Sequence, residues 1–357
     1  MSDPALISID AMGGDHGPAV VLPAVARVVK EGLDARFLLH GDEARIKAAL
    51  AKLHGLEARI EVRHADKVIG PDEKPAQAMR RGKGSSMWNA VEALRNGEAA
   101  AAVSAGNTGA LMAISKLQLR MSADLERPAL VANWPTLNGR TAVLDVGANI
   151  SCDAQRLVEF AILGAAFHHA VNGSTRPTVG LLNVGSEDEK GHEEVREANR
   201  MLRAMPGLEL DYRGFVEGDD IAKGTVDVVV TDAFTGNVAL KTAEGLARYF
   251  RSELRLTFNS GPFAWLGALM ASAALRRMAE RLDPGAAGPF LGLNGIVVKS
   301  HGGADARGFA TAIQLAAGLA ASDFVAQIDR NLRTMTAAMP KEAGPSQTAG
   351  VGERNQA

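Results

Sequence analysis

Lys190 lies in Gly185-Ser186-Glu187-Asp188-Glu189-Lys190-Gly191, a polar loop that follows the strand stretch Thr178–Val184. A lysine there is either a solvated cation in an acidic loop or a group that holds an anion. Close to a helix N-terminus, where the dipole disfavours a cation, it needs an anionic ligand as compensation. Glu187, Asp188 and Glu189 suit a divalent metal and the charged first turn of a helix equally well. Thr235 and Asn237 follow the apolar run Val228–Val230, in Thr231-Asp232-Ala233-Phe234-Thr235-Gly236-Asn237. Asn107 and Thr108, in Gly106-Asn107-Thr108-Gly109, and Asn149, in Asp145-Val146-Gly147-Ala148-Asn149, repeat the grammar. Each is a neutral donor that also suits a turn, because asparagine tolerates left-handed backbone. Gathered together, such donors suit a phosphate or another tetrahedral oxyanion. His16 comes directly after Gly13-Gly14-Asp15 and a strand ending in Asp10. It reads as a capping or buried histidine or, with Asp10 and Asp15, as part of an active site; Asp10 equally suits a structural acceptor.

Six stretches share one plan of apolar strand, glycine-containing polar loop and helix start: residues 7–18, 102–112, 143–153, 178–191, 226–241 and 296–305. In an open parallel sheet such loops lie outside the carboxyl ends of the strands, where ligands bind. All six are therefore expected on one rim. The turn of the fifth is expected at Thr235-Gly236-Asn237, with a helix from Val238 onward. Alternating strands and helices along the rest of the chain predict a three-layer α/β/α arrangement around a mostly parallel sheet. Ser85 or Ser86 is placed to cap the helix that ends at Asn96-Gly97. Residues 245–282 break the rhythm as two long helices interrupted by Asn259-Ser260-Gly261-Pro262, an inserted helical hairpin. One α/β domain is expected over residues 1–338, and 339–357, rich in Pro, Gly, Ser and Gln, reads as a disordered tail.

Composition removes several function classes. The formal net charge of −2 argues against a dedicated nucleic-acid binder. Cys152 is the only cysteine, which leaves no intrachain disulfide and no multi-cysteine metal site. Without an adjacent histidine it reads as a small helix-start residue before it reads as a nucleophile. The chain shows no GKS/T phosphate loop, no GxGxxG opening a first βαβ unit, no HExxH and no GxSxG. No charged-then-apolar leader precedes Leu6–Ile9 and no apolar run reaches ~18 residues, so a cytoplasmic protein is expected.

The stretches IDAMGGDHGP, Ser85-Ser86-Met87, VSAGNTGALM, LDVGAN, LLNVGSEDEKG, TDAFTGNVALK and SHGGAD, in this order, resemble the bacterial acyl-[acyl-carrier-protein]:phosphate acyltransferases. The likeness runs from Ile7 to about Asp329. It implies a fold like that of the phosphate acetyltransferases and isocitrate dehydrogenases, a homodimer, and no organic cofactor. It implies acyl phosphate formation from inorganic phosphate and an acyl thioester of acyl carrier protein, feeding phospholipid synthesis. On matching positions Lys190 and Asn237 are the foremost catalytic candidates, with His16 beside them. Asp10, Gly13, Gly14, Ser85, Ser86, Asn107, Thr108, Asn149, Asn183, Ser186, Thr235 and His301 are candidates for substrate binding, and no metal is expected.

A phosphate acetyltransferase-like enzyme with an acyl-coenzyme A donor is the nearest alternative. A metal-dependent dehydrogenase of the isocitrate type would need an arginine-rich carboxylate site that the loops lack, and a non-catalytic lipid scaffold would leave the six loops unexplained. Two basic sets could receive an acidic carrier protein: Arg80, Arg81 and Lys83, expected in a loop, and Arg248, Arg251 and Arg255, on one helical face. Phe258, Phe263, Trp265, Leu266, Leu269 and Met270, flanked by arginines, suit either a second copy of the hairpin or an anionic membrane surface. A downstream membrane acyltransferase is a further possible partner.

Overall fold

Apolar runs too short for helices become strands here, and their residues alternate between two covered faces. The computed structural model describes residues 4–122, 125–281 and 287–338. Its strands are β1 (Ala5–Asp10), β2 (Ala35–Gly41), β3 (Ile60–His64), β4 (Ala101–Ser104), β5 (Ala129–Thr136), β6 (Gly139–Leu144), β7 (Thr178–Leu182), β8 (Asp211–Val216), β9 (Val228–Val230), β10 (Ala287–Leu291) and β11 (Ile296–Ser300). The helices are α1 (Pro18–Lys30), α2 (Glu43–Leu50), α3 (Pro75–Arg81), α4 (Ser86–Arg95), α5 (Thr108–Leu119), α6 (Ala154–Asn172), α7 (Glu193–Ala204), α8 (Gly218–Lys223), α9 (Ala233–Phe258), α10 (Pro262–Arg281), α11 (Ala306–Ala320) and α12 (Phe324–Ala338).

The strands form one sheet in the order β3-β2-β1-β4-β11-β10-β5-β6-β9-β7-β8. Ile7, Ile9, Val103, Leu144, Val228 and Val298 face a core shared with α1, α6, α11 and α12. The alternate residues Ala102 and Val297 face α4 and α5, and Val143 and Val229 face α8 and α9. The three-layer, mostly parallel α/β/α fold expected from the alternation is therefore present. Gly164 shows how closely α6 lies on the sheet: a Cβ there would sit 2.5 Å from Val228 Cγ1 and 2.7 Å from Leu144 Cδ2.

Strand sense changes the picture of one rim. The blocks β3-β2-β1-β4-β11 and β6-β9-β7-β8 are each parallel internally. Between them, β10 is antiparallel to both β11 and β5, and β5 is antiparallel to β6. The blocks thus run in opposite senses, and their carboxyl-end loops form two rims. Sheet twist of about 20–25° per strand, summed over the six steps from β1 to β9, turns one block by on the order of 120–150° relative to the other. The antiparallel seam is not legible in the sequence, because β10 carries no loop of the repeated type and no local signal fixes the sense of β5 and β6.

The hairpin is longer than expected on its first arm, since α9 starts at Ala233 rather than near Gly245. Its break falls at Asn259–Gly261, as expected. Leu282 and the tail over 339–357 lie outside the described residues. Among the described residues no single helix is long and apolar enough to cross a membrane.

Candidate active site

The first rim is assembled at the ends of β1, β4 and β11. The buried Asp10 Oδ1 accepts the N–H groups of Met12 (3.2 Å) and Gly13 (3.1 Å), and Oδ2 accepts the Ser104 hydroxyl at 2.7 Å. Burial raises the Asp10 pKa against the lowering pull of these donors and of Ser86. Ser86 is itself buried, and its Oγ makes no well-aligned hydrogen bond, so its influence on Asp10 is that of a nearby dipole. Gly13 is required by contact: a Cβ would lie 2.5 Å from Asp10 Oδ2 and 2.7 Å from Gly106 N. Beyond it Gly14 takes φ +81°, and Asp15 N–H reaches Gly302 O at 2.9 Å, joining the loops of β1 and β11. His16 and His301 are exposed; His301 Nδ1 accepts Gly303 N–H at 3.2 Å.

Two of the polar candidates on this rim are braces. Ser85 caps α4 by accepting Trp88 N–H at 3.2 Å. Asn107 caps α5 through Ala110 N–H (3.0 Å), while its Nδ2 donates to Pro71 O (2.6 Å) and Glu73 O (3.1 Å). Both amide hydrogens of Asn107 are occupied in holding the 70–75 loop, which leaves Thr108 next to it as the freer donor.

Sequence reasoning passed over Lys299 at the end of β11. It is buried, and its Nζ donates to Ala105 O at 3.3 Å and to Ser300 O. Burial pulls its pKa down to about 8, opposed by the Asp10 and Asp15 carboxylates. A charge directly continuing a strand as apolar as Ile296–Val298 was the available signal. Folded Lys299 releases its proton at lower pH than the unfolded chain, so across the window from about 8 to 10.5 the unfolded state holds more protons. Stability from this group therefore rises with pH in that window, by roughly 3 kcal/mol in full. Urea unfolding at stepped pH is expected to show wild type gaining on Lys299→Met across it; a constant difference would mean a solvated lysine.

The second rim is built on the adjacent strands β6, β9 and β7. Asp145 is fully buried; its Oδ1 accepts N–H groups of Leu130, Gly147 and Ala148, and its Oδ2 accepts the backbone and side-chain N–H of Asn149. The Asn149 amide also donates to Pro128 O at 2.8 Å. Buried and doubly bonded, Asn149 braces the loop and has no amide hydrogen left for a substrate.

Asp232 caps α9, accepting Thr235 N–H at 2.9 Å and its hydroxyl at 3.0 Å. Thr235 and Gly236 are thus in the first helical turn, with Asn237 directly after it, rather than in a turn before a helix at Val238, because the cap works three residues ahead of Thr235. A Cβ on Gly236 would lie 2.0 Å from Asp145 O, so glycine there lets α9 press on the loop after β6. That contact places Asn237 Nδ2 2.9 Å from Val146 O, with the rest of the half-buried amide at the rim.

Asn183 steadies the loop after β7, donating to Gly185 O (3.1 Å) and Lys190 O (3.0 Å). Lys190 is exposed and pairs with Glu187 at 2.8 Å, which raises its pKa. Because α7 starts at Glu193, Glu187, Asp188 and Glu189 belong to the loop and not to a helical first turn. Ser186 is exposed on the same loop. Cys152 lies just before the α6 cap Asp153; burial, then Asp145 and Asp232, push its thiol up to about 12. At neutral pH it stays protonated, as its reading as a helix-start residue requires. The rim can thus hold an anion with an ammonium and an amide, and it presents no activated thiol.

The family described as "Fatty acid synthesis protein" matches residues 5–327. A phosphate acyltransferase of Caulobacter vibrioides is 70% identical over 339 residues, covering 94% of each chain. One of Phenylobacterium zucineum is 63% identical over 351 residues, 98% of this chain and 100% of the other. Among solved structures, a phosphotransacetylase from Streptococcus pyogenes superposes with TM-score 0.60 at 19% identity, over 90% of this chain and 95% of its own. The EutD phosphotransacetylase from Staphylococcus aureus gives 0.59 at 16%, over 89% and 94%. These two show a shared fold, and the close relatives show more: this chain is an enzyme that belongs to the phosphate acyltransferase family.

Proposed function

We propose that the enzyme transfers the acyl group of acyl-[acyl-carrier-protein] to inorganic phosphate, and that the acyl phosphate feeds phosphatidic acid and phospholipid synthesis. A phosphate oxygen attacks the thioester carbonyl, the C–S bond breaks, and the proton of hydrogen phosphate ends on the departing sulfur. Phosphate is already an anionic nucleophile, and a thiol of pKa about 8.5 leaves with little acid help. The protein has to align two substrates and stabilise the carbonyl oxygen as it gains charge. The observation that carries this reading is that Lys190 and Asn237 follow the neighbouring parallel strands β7 and β9. A cation and an amide donor so placed suit the transition state of direct attack by phosphate. Incubating the purified enzyme with acyl carrier thioester and phosphate, and measuring acyl phosphate, tests it; equal or better use of acyl-coenzyme A would favour the other donor.

The exposed hairpin supports homodimerisation and a peripheral place on anionic membrane from the cytoplasmic side, within reach of a downstream membrane acyltransferase. Phe263 is 88% exposed and Met270 81%, with Trp265, Leu266 and Leu269 beside them. Such a patch needs cover. Paired helix stems would form the dimer while the 263–266 tip rests in the interface, with Arg251, Arg255, Arg276 and Arg277 near the headgroups. Trp265→Glu is expected to abolish binding to anionic vesicles while dimer mass and activity in solution persist. A monomeric variant would assign the tip to the dimer, and unchanged vesicle binding would remove the membrane role.

A further inference from the structure

Lys67, Lys74, Arg80, Arg81 and Lys83 are all exposed, and among the described residues none of them forms an ion pair. Some arginines elsewhere are paired, as Arg63 is with Glu61 and Glu98, Arg200 with Glu193 and Glu197, and Arg330 with Asp323, so what marks this segment is five such cations within seventeen residues. The carboxylates nearest in sequence are Asp66, bonded to His64 at 2.7 Å, and Asp72 and Glu73. Arg80 and Arg81 end α3 rather than lying in a loop. Lys67 and Lys83 are brought side by side, since Lys67 Nζ donates to Lys83 O at 3.4 Å. Two apolar side chains, Val68 and Met79, are exposed among these cations, at 50% and 38%.

The platform is fixed and it borders the first rim. Ser86 N–H reaches Lys67 O at 3.0 Å, tying the basic segment to the start of α4. Asn107 clamps Pro71 and Glu73, and Pro75 Cγ lies 2.9 Å from where a Gly109 Cβ would be. The segment that carries the cations therefore adjoins the loops of Ser85, Ser86, Asn107 and Thr108.

We propose that α3 and the segment before it, residues 67–83, form the docking surface for the acidic carrier protein that delivers the acyl thioester. This rests on the transferase reading above. Unpaired cations repel one another, and a carboxylate-bearing partner relieves that repulsion while steering encounter. Val68 and Met79 supply the small apolar centre that such interfaces hold inside a polar rim. The other basic set fits less well: Arg248 faces Glu244 at 3.8 Å, and the helix bearing it also exposes Leu246, Tyr249 and Phe250, which belong with the hairpin.

The test is the double variant Arg80→Glu/Arg81→Glu, assayed with acyl carrier protein and with a small acyl-pantetheine donor at several salt concentrations. KM for the carrier substrate is expected to rise about 10-fold or more at low salt with its salt dependence flattened. Kinetics with the small donor stay unchanged, and Arg80→Lys/Arg81→Lys restores the carrier KM. Unchanged carrier KM and salt profile, in an enzyme that still makes acyl phosphate, would overturn the docking site and leave the transferase reading standing. Loss of anionic-vesicle binding with unchanged carrier kinetics would assign the patch to membrane and equally overturn the proposal. Wild type that accepts no carrier-bound donor would remove the transferase reading, and the docking site with it.

Discussion

Lys190→Ala is expected to lower turnover about 10²–10³-fold, the range for removal of one group that stabilises charge on a reacting oxygen. Melting temperature should barely move. The side chain is half exposed, its one ion pair is with the equally exposed Glu187, and the loop is held by Asn183 through backbone carbonyls. Those braces do not involve the ammonium, so the loop should keep its shape without it. Lys190→Arg retains charge but spreads it over a planar fork, and should recover only part of the rate. Asn237→Ala should lose turnover in the same sense, with a small stability loss from its bond to Val146 O. Steady-state kinetics with melting curves for all three variants decide the matter; near-normal turnover in Lys190→Ala would take the lysine out of the mechanism.

Asp145→Ala is expected to do the reverse and damage the fold first. Five N–H donors end on its two oxygens, from Leu130, Gly147, Ala148 and twice from Asn149, all at a fully buried position. Removing the carboxylate strands several of them, and each buried unsatisfied donor costs about 1–3 kcal/mol. A loss of roughly 3 kcal/mol or more is a large share of a protein's whole stability. Asn149 and the Gly236 contact with Asp145 O depend on the same loop, so activity should fall with stability rather than ahead of it. Asp145→Asn keeps the shape but replaces one acceptor oxygen by a donor, and should lie between. Denaturant unfolding measures this; a variant as stable as wild type would mean that water replaces the carboxylate.

The contrast between Lys190 and Asp145 also marks how far a reading of the chain alone reaches. Local chemistry is visible in order along it. Asp42 and Ser85 stand where helices need N-terminal acceptors, and each accepts the N–H three residues on, whereas the cap at Asp232 was missed and its helix starts at Ala233 rather than at Val238. The apolar runs that become β1, β4, β7, β9 and β11, the glycine loops after them, and the hairpin break at Asn259–Gly261 were equally legible, because each depends on neighbours within a few residues. The sense of a strand in a sheet does not. It depends on partners far away, and so the antiparallel β10 and the β5–β6 hairpin, which divide the loops into two rims, emerged only on folding. The fate of each polar side chain depended on the same long reach. Ser104 meets Asp10 across 94 positions, and Lys299 meets Ala105 across 194. Such distant contacts made Asn107 and Asn149 braces and drew Lys299 inside, while Lys190 stayed at the surface paired only with Glu187 of its own loop, since burial and hydrogen-bond partners are properties of the packed molecule and not of any stretch of its sequence.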